Sequence, residues 1–308
     1  MRRLASVPPA YYVFAVLLIT LWLARPNMLS PNVLGIFIRQ VVPLGILVLG
    51  QLLVMRVRSI DLSGGGVILL INYIISSGNY PDAAGLSFVL VALAIGGMVG
   101  LFNGFMVAKR RVSAVIVTLA VSIILVGLVQ FLSSGKPPGD VPKYMNEIFD
   151  TKFGVLPLPV LFWIACTFGI WLLMQHNVYG RYVEAVGENA EAAAFAGVPV
   201  ARTVILAHVL AGLMAAVAAL VQTGSIAVGS VRVGLDLPIL AVAATILGGV
   251  VFGRGEGGVW GPFFGVLSFA LLFVVMTVFG IGDPGKLIAQ GLIILMAAIL
   301  YGWRSAQS

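Results

Sequence analysis

The chain has 308 residues, of which 60% are hydrophobic and only 9% are Asp, Glu, Lys or Arg, whereas soluble globular proteins carry about 25% charged residues. So few charges cannot cover the surface of a 32.4 kDa particle in water, which excludes a soluble enzyme, a disordered chain and a nucleic-acid-binding protein. The positive charges behind the net charge of +7 are spread along the chain between apolar runs, and we therefore interpret them as a signal of membrane topology.

Ten apolar stretches are long enough, or nearly so, for helices that cross a bilayer, which takes about 20 residues. The first follows Arg2 and Arg3 but offers no small-residue cleavage site in LWLARPN at 21–27, so we predict a retained span rather than a signal peptide. The sequence therefore predicts an all-α polytopic membrane protein with a single transmembrane domain over 1–308. The predicted spans are 10–24, 33–54, 61–77, 86–107, 113–132, 157–174, 204–223, 236–252, 259–279 and 286–301.

The charges in the loops predict which ends of the spans face the cytoplasm. With the N-terminus inside, eleven of the eighteen basic residues fall on the cytoplasmic side, six fall outside, and Arg39 is left within a span. Short cytoplasmic loops are enriched in Lys and Arg, and the triplet Lys109–Arg111 is the clearest example here. We therefore predict that both termini are cytoplasmic.

Two loops are long and polar enough to form structure outside the bilayer. The external loop at about 133–157 contains four prolines and mixed charge, which favours an exposed lid or docking surface. The cytoplasmic loop at about 175–203 contains a short predicted helix from Asn189 to Gly197. Asn189 is a good N-cap, Glu191 suits the first turn, and Gly197 followed by Pro199 favours termination. Two alanine-rich turns are marginal alone, so this helix needs a partner, either its own bundle or another subunit.

Several motifs in this order resemble the inner-membrane permeases of bacterial ABC importers for ribose, xylose, arabinose and similar sugars. The resemblance runs from about residue 30 to the end. This chain differs from it in the glycine run Gly64–Gly66 and in Asp236, where a glutamate is usual. The motifs are IDLSGG (60–65), NG (103–104), TLA (118–120), YGRYVEAVGENAEAAAFAGVPV (179–200) and GLDLPILAVAATILGG (234–249).

The resemblance implies a transmembrane permease subunit in the bacterial inner membrane that translocates a monosaccharide of pentose or hexose type. It implies an ATPase partner that hydrolyses ATP, a periplasmic sugar-binding protein and a second permease chain, either a copy or a paralogue. No cofactor is expected on this chain, because ATP and Mg²⁺ would belong to the ATPase. The ATPase-coupling residues that it implies are Gly187, Glu188, Asn189, Glu191, Ala192, Ala193, Gly197 and Val198.

Polar side chains within the spans are candidates for the translocation path or gate, because ionisable and polar groups in a membrane are costly unless paired or hydrated. Asp61 and Ser63 could instead cap the start of the third span. VRSIDLS (57–63) and VGLDLP (233–238) each place an acid just before a span, and these two spans cross in opposite directions, as in inverted repeats. The candidates are Asp61, Ser63, Asn72, Asn103, Thr118 and Asp236, with Gln51 and Gln222 as further polar groups.

Glycine spacing predicts close helix packing at two further places. GMVGLFNG (97–104) and GVWGPFFG (258–265) share the pattern GxxGxxxG near the cytoplasmic ends of two spans. Small residues four apart let helix backbones approach closely. We therefore predict helix contacts at both motifs, in a region where an inward gate would also close.

Other motifs do not support catalysis or metal binding. GIGDPGKL (280–287) has Leu287 where a phosphate-binding loop needs Ser or Thr, and GRGEGG (253–258) precedes an apolar span. His176 and His208 lack metal-ligand spacing with each other or with Cys166, the only cysteine, so no metal site is predicted. A non-catalytic permease is the favoured interpretation. The alternatives are a permease for branched-chain amino acids or nucleosides, and an ion-coupled secondary transporter that uses Asp61 or Asp236.

Overall fold

The computed structural model describes residues 8–78, 87–154, 156–251, 255 and 257–306, and these residues are predominantly helical. A helix lies in each of the ten predicted stretches, and short helices occupy both predicted loops. In chain order the helices are α1 (Pro9–Ala24), a 3-10 turn (Pro26–Leu29), α2 (Pro31–Arg56), α3 (Gly64–Ser76), α4 (Ser87–Arg110), α5 (Ala114–Ser133), α6 (Lys143–Asp150), α7 (Leu158–His176), α8 (Val178–Glu188), α9 (Ala190–Phe195), α10 (Val200–Ile226), α11 (Leu237–Leu247), α12 (Trp260–Val278) and α13 (Asp283–Ala306).

Six helices in the described part of the chain are long and apolar enough to cross a membrane, which supports an all-α polytopic membrane protein. They are α2, α4, α5, α7, α10 and α12, whereas α1, α3 and α11 are shorter apolar helices. The predicted spans 61–77 and 236–252 contain helices of only 13 and 11 residues. At 1.5 Å per residue these two helices reach about 20 Å and 16 Å, less than the roughly 30 Å hydrocarbon core.

Glycines allow α4 and α10 to pack in close contact at the centre of the bundle. A Cβ atom at Gly96 or Gly100 of α4 would overlap the backbone of Gly212 or His208 of α10, and Gly104 lies against Ile205. The two helices are therefore antiparallel. In the predicted motif 97–104, Gly100 and Gly104 make the helix contact, whereas the nearest atom to a Cβ at Gly97 would be a leucine methyl group 3.6 Å away.

The second glycine motif packs α12 against α11. A Cβ atom at Gly261 or Gly265 would overlap the carbonyl oxygen of Gly248 or Ala244, whereas nothing lies within 4 Å of a Cβ at Gly258. The predicted packing role of both motifs is confirmed for their second and third glycines.

The ends of the bundle differ in charge and in structure. We call the end that carries Arg58, Lys109–Arg111 and the α8–α9 segment the basic end. The opposite end carries α6 and a two-residue hairpin of β1 (Lys152–Phe153) and β2 (Leu156–Pro157). Two further predicted basic-end segments, Arg2 with Arg3 and most of the loop 253–257, lie outside the described residues.

Candidate functional site: two interrupted helices and the α8–α9 segment

Two of the predicted spans contain half-length helices, each of which follows a non-helical segment. We call residues 57–63 the α3 connector and residues 227–236 the α11 connector. Gly64, the first residue of α3, lies against Leu47, which is nine residues before the end of α2. The α3 connector therefore runs from the basic end about 13 Å into the bundle before α3 begins.

Asp61 and Ser63 form the turn that starts α3. Asp61 Oδ1 accepts hydrogen bonds from the backbone N–H of Ser63 at 2.8 Å and from its hydroxyl at 2.6 Å. The Ser63 hydroxyl in turn accepts a hydrogen bond from Asn103 Nδ2 of α4 at 2.9 Å. All three residues are buried, so the predicted path residues Asp61, Ser63 and Asn103 bond mainly to one another. Local carboxylate-to-backbone bonds of this kind stabilise a turn before a helix.

Two further helices hold the α3 connector. The Thr118 hydroxyl of α5 accepts a hydrogen bond from the backbone N–H of Leu62 at 3.0 Å. His208 of α10 is fully buried, with its Nε2 atom 2.8 Å from the Ser59 hydroxyl and its Nδ1 atom 3.8 Å from Asp61 Oδ2. Sequence reasoning considered His208 only as a metal ligand. Its position in an apolar span, where a polar group needs a partner, was the available signal.

The outer part of the α11 connector is held by the side chain of Asn72 of α3 and by backbone hydrogen bonds to residues 139–141, among them Gly229 N–H to the carbonyl of Gly139 at 2.7 Å. The Asn72 side chain donates to the hydroxyl of Thr223 at 3.2 Å and to the carbonyl of Val228 at 3.3 Å. Its carbonyl oxygen accepts from the backbone N–H of Ser230 at 2.8 Å. Asn72 is fully buried, and its hydrogen bonds to Thr223, Val228 and Ser230 fix the chain where it leaves α10.

The two connectors bring the starts of α3 and α11 together inside the bundle. A Cβ atom at Gly65 would lie 2.9 Å from the carbonyl oxygen of Gly234 and 3.1 Å from the Pro238 side chain. Asp236 is the N-cap residue of α11, makes no side-chain capping bond and is exposed. The structure thus joins Asp61, Ser63, Asn103 and Thr118 in one cluster. It places Asn72 on the other connector, and it leaves Asp236 on the surface of the chain.

The α8–α9 segment at the basic end has the predicted caps. The Asn189 side chain accepts from the backbone N–H groups of Glu191 and Ala192, both at 3.0 Å. Gly197 adopts φ +83°, and the backbone N–H of Val198 bonds to the carbonyl of Ala193 at 2.9 Å, which ends the helix. The helix predicted from Asn189 to Gly197 is therefore confirmed.

The predicted coupling residues divide between the bundle and the surface. Gly187 and Ala193 are buried and Val198 is half-buried, while Glu188, Asn189, Glu191, Ala192 and Gly197 are exposed. A Cβ atom at Gly187 would overlap the carbonyl oxygen of Arg56, so this position requires glycine. Arg58 of the α3 connector donates to the carbonyls of Gly187 at 2.7 Å and Glu188 at 2.6 Å. The α8–α9 segment is therefore bonded directly to the α3 connector.

Phe195 is a surface residue of this segment that sequence reasoning missed. Its side chain is 94% exposed at the end of α9, although a phenylalanine normally contributes to a buried core. The signal available in the sequence was a large aromatic residue within the otherwise small-residue run AEAAAFAG. An exposed aromatic side chain on a rigid helix is a typical anchor for a partner protein.

The sequence of the chain matches a family described as "Branched-chain amino acid transport system / permease component" over residues 33–298. The chain belongs to this permease family. Family membership and the six apolar spanning-length helices confirm the prediction of a multi-pass permease of the bacterial inner membrane.

Several curated relatives are permeases for import. The chain is 28% identical over 280 residues to the ribose import permease protein RbsC of Escherichia coli (strain K12), covering 89% of this chain and 87% of RbsC. It is 32% identical over 197 residues to the L-arabinose transport system permease protein AraH of the same strain, covering 64% and 60%. It is 30% identical over 283 residues to the autoinducer 2 import system permease protein LsrC of Enterobacter sp. (strain 638), covering 90% and 81%. No solved structure matches the chain significantly.

Proposed function

We propose that the chain is the translocation subunit of an ATP-binding-cassette importer that carries a monosaccharide across the bacterial inner membrane by alternating access. The observation that carries this proposal is the position of Asp236, an exposed carboxylate at the start of a helix that begins inside the bundle. A carboxylate at that depth is costly in lipid, so its surroundings should be water or a second chain. We therefore propose that α11 and its connector line an aqueous path between two permease chains, either two copies or a copy and a paralogue.

The cargo and the sidedness follow from the relatives and from the charges. The relatives above are named for ribose, L-arabinose and autoinducer 2, which supports a small, neutral, hydroxyl-rich cargo. The basic end would face the cytoplasm, with ten crossings and both termini inside. A periplasmic sugar-binding protein would deliver the cargo to the opposite end of the bundle, near α6.

The α8–α9 segment would be the contact with the ATPase. Phe195 would insert into the partner, with the exposed face of Glu188, Asn189, Glu191, Ala192 and Gly197 around it, while Gly187, Ala193 and Val198 hold the segment to the bundle. ATP and Mg²⁺ would bind only to the partner, and this chain would carry no cofactor and catalyse no reaction. Because Arg58 bonds to Gly187 and Glu188, a displacement of the segment would pass directly to the α3 connector. Such a displacement can bias which end of the bundle is open.

A permease for branched-chain amino acids is the second candidate, because the matching family is described by that transport system. It would share the ATPase, the second chain and the alternating mechanism. It differs in the cargo, which would be a zwitterion rather than a neutral sugar.

The proposal is tested by reconstituting the chain with the ATPase and binding protein encoded beside it, and measuring ATP-driven uptake of labelled ribose, xylose, arabinose and leucine. We expect uptake of one sugar, and none when ATP hydrolysis is blocked. Phe195→Ala should abolish co-purification of the ATPase and uptake, whereas Phe168→Ala, 49% exposed near the middle of α7, should leave both unchanged. Uptake that follows an imposed proton or sodium gradient without an ATPase would contradict the proposal, and uptake of leucine alone would favour the second candidate.

A further inference from the structure

A second polar feature of the bundle lies far from the α3 connector, in the half next to the opposite end. It is a cavity of about 500 Å³ between α2, α10 and the outer helix α6. Arg39 is the ninth residue of α2, so this part of the cavity lies about 12 Å along the helix from its first residue. Proteins bind small molecules in concave sites of about 300–1,000 Å³, so this volume is enough for a monosaccharide.

The charges that line the cavity cancel. The guanidinium of Arg39 forms an ion pair with the carboxylate of Asp150, the last residue of α6. An arginine at membrane depth is costly unless it faces water or a partner, and here the partner comes from an element outside the spans. Because the Asp150 carboxylate lies beside the only cation of the lining, an anionic ligand would meet a repelling charge. A neutral ligand would not.

The cavity also offers both donors and acceptors of hydrogen bonds. Gln40 and Gln222 contribute amides to the lining, and the buried Ser225 hydroxyl has no hydrogen-bond partner among the described residues. Pro43 has no N–H group, so the carbonyl of Arg39 receives no helical hydrogen bond from position 43. Closely spaced donors and acceptors of this kind match the hydroxyl groups of a polyol, each of which can donate and accept.

Helix α6 covers the cavity as a separate small element. Phe149 of α6 lies against Gly224 of α10, where a Cβ atom would overlap its ring. The segment before α6 is tied to the α11 connector through a hydrogen bond from the backbone N–H of Val141 to the carbonyl of Ala227, at 3.3 Å. The ion pair between Arg39 and Asp150 therefore also joins α6 to α2.

We infer that this cavity is a binding site for a neutral polyhydroxylated molecule of monosaccharide size, covered by α6. The inference rests on the proposed function for the direction of transport, and the cavity would be the first site that the cargo occupies after the binding protein releases it. Arg39 and Asp150 would bond to neighbouring hydroxyl groups, and Gln222 and Ser225 would bond to the opposite side of the ligand.

The test is protection of a cysteine placed in the cavity of the full chain. Gln40→Cys, at an exposed position of the cavity lining, in a Cys166→Ala background and reconstituted in phosphatidylcholine vesicles, is treated with a membrane-impermeant thiol reagent in the presence of ribose, xylose, arabinose, glucose or leucine. We expect one monosaccharide to slow the modification about fivefold or more. Lys152→Cys, exposed in the β1–β2 hairpin, should react at the same rate with every solute.

Two matched variants test whether the protection comes from a sugar bound in the cavity. Gln222→Leu removes an amide from the lining and should raise the half-protecting sugar concentration about tenfold, as expected for a lost hydrogen bond. Gln130→Leu removes an exposed amide of α5 outside the cavity and should leave that concentration unchanged. Equal protection in wild-type and Gln222→Leu backgrounds would overturn the assignment of the site.

The remaining outcomes separate this inference from the proposed function. If ATP-driven sugar uptake occurs but no sugar protects position 40, or the reagent never reaches it, the inference is wrong and the proposed function stands. If a sugar protects but uptake follows an ion gradient, the site stands and the proposed function fails. Protection that appears only in vesicles containing phosphatidylglycerol would show a lipid headgroup site and would overturn the inference.

Discussion

The α3 connector and the α11 connector each place an acid within three residues of the start of a short helix, but the surroundings of the two acids differ. Asp61 is 8% exposed and its carboxylate is bonded twice to Ser63, with His208, Asn103 and Thr118 nearby. Asp236 is exposed and makes no side-chain capping bond. An acid before a half-length helix therefore indicates where a span is interrupted. The residues around that acid decide whether its carboxylate bonds to the connector or faces the proposed path.

The difference has a physical origin in the helices that pack on each connector. The α3 connector lies among α4, α5 and α10, each of which supplies one polar side chain to it. The α11 connector receives one side-chain anchor, Asn72, and backbone hydrogen bonds from residues 139–141, all at its outer part, and its later residues Leu235 and Asp236 are exposed. A connector bonded along its length by side chains of several helices is expected to be stiff, whereas one whose bonds to other elements lie at its outer end can change shape with less cost.

The largest expected effect is loss of stability on removing the Asp61 carboxylate. Asp61→Ala leaves the backbone N–H and hydroxyl of buried Ser63 without their acceptor, and should cost about 3 kcal/mol in the free energy of unfolding. Thermal unfolding in detergent should therefore occur several degrees below the wild type. Asp236→Ala is the matched control and should unfold at the wild-type temperature. Equal destabilisation by the two variants would remove the contrast between the connectors.

The next effect concerns Asn72, the side-chain anchor of the α11 connector. Asn72→Leu removes the acceptor of the Ser230 N–H and the donor to Val228, and should cost about 2 kcal/mol. Hydrogen exchange at residues 227–230 should become faster, while exchange in the α3 connector stays unchanged. If exchange accelerated equally in both connectors, they would not be held independently.

The third prediction concerns transport, where a change at Asp236 should have a smaller effect, on the activation free energy of uptake. Asp236→Ala should lower the rate of ATP-driven uptake about tenfold, equivalent to about 1.4 kcal/mol, because a polar group that faces the path is lost. Its unfolding temperature should stay at the wild-type value, since surface substitutions usually change stability by less than about 0.5 kcal/mol. Uptake at the wild-type rate would mean that α11 faces something other than the path.

The smallest effect is expected at Thr118. Thr118→Val leaves the backbone N–H of Leu62 without its acceptor, at a cost of about 1 kcal/mol. Thr118→Ser keeps the hydroxyl and should restore most of the stability in the same thermal unfolding measurement. Failure of the serine variant to do so would indicate that the methyl group of Thr118, rather than its hydrogen bond, supports the connector.

Local patterns predicted much of this structure. Apolar length located the ten helices, and Asn189, Gly197 and Pro199 located both ends of α9, because caps and breakers act within a few residues. Hydropathy gave stretches of 17 residues for α3 and α11, but the helices have only 13 and 11 residues, because contacts with other helices decide where each helix begins and ends inside the bundle. The cluster around Asp61 joins residues 149 positions apart, such as Ser59 and His208, and only tertiary packing brings them together.

The sequence did not reveal the roles of residues whose surroundings are set by tertiary packing. Arg39 was assigned only as a base left inside a span, yet it pairs with Asp150 across a cavity. Phe195 was counted as part of an alanine-rich helix, and its 94% exposure is set by how α9 lies on the bundle. Sequence periodicity over six residues of α9 is too short to predict which side of the helix faces outward.

The most direct measurement compares the solvent accessibility of the two connectors in membranes. In a Cys166→Ala background, Asp236→Cys and Ser63→Cys are treated with a membrane-impermeant thiol reagent, with the ATPase present and with ATP added or withheld. We predict that position 236 reacts at a rate that depends on ATP, because the path opens alternately, and that buried position 63 does not react. Modification of position 63 together with protection of position 236 in both conditions would contradict the assignment of the path to α11.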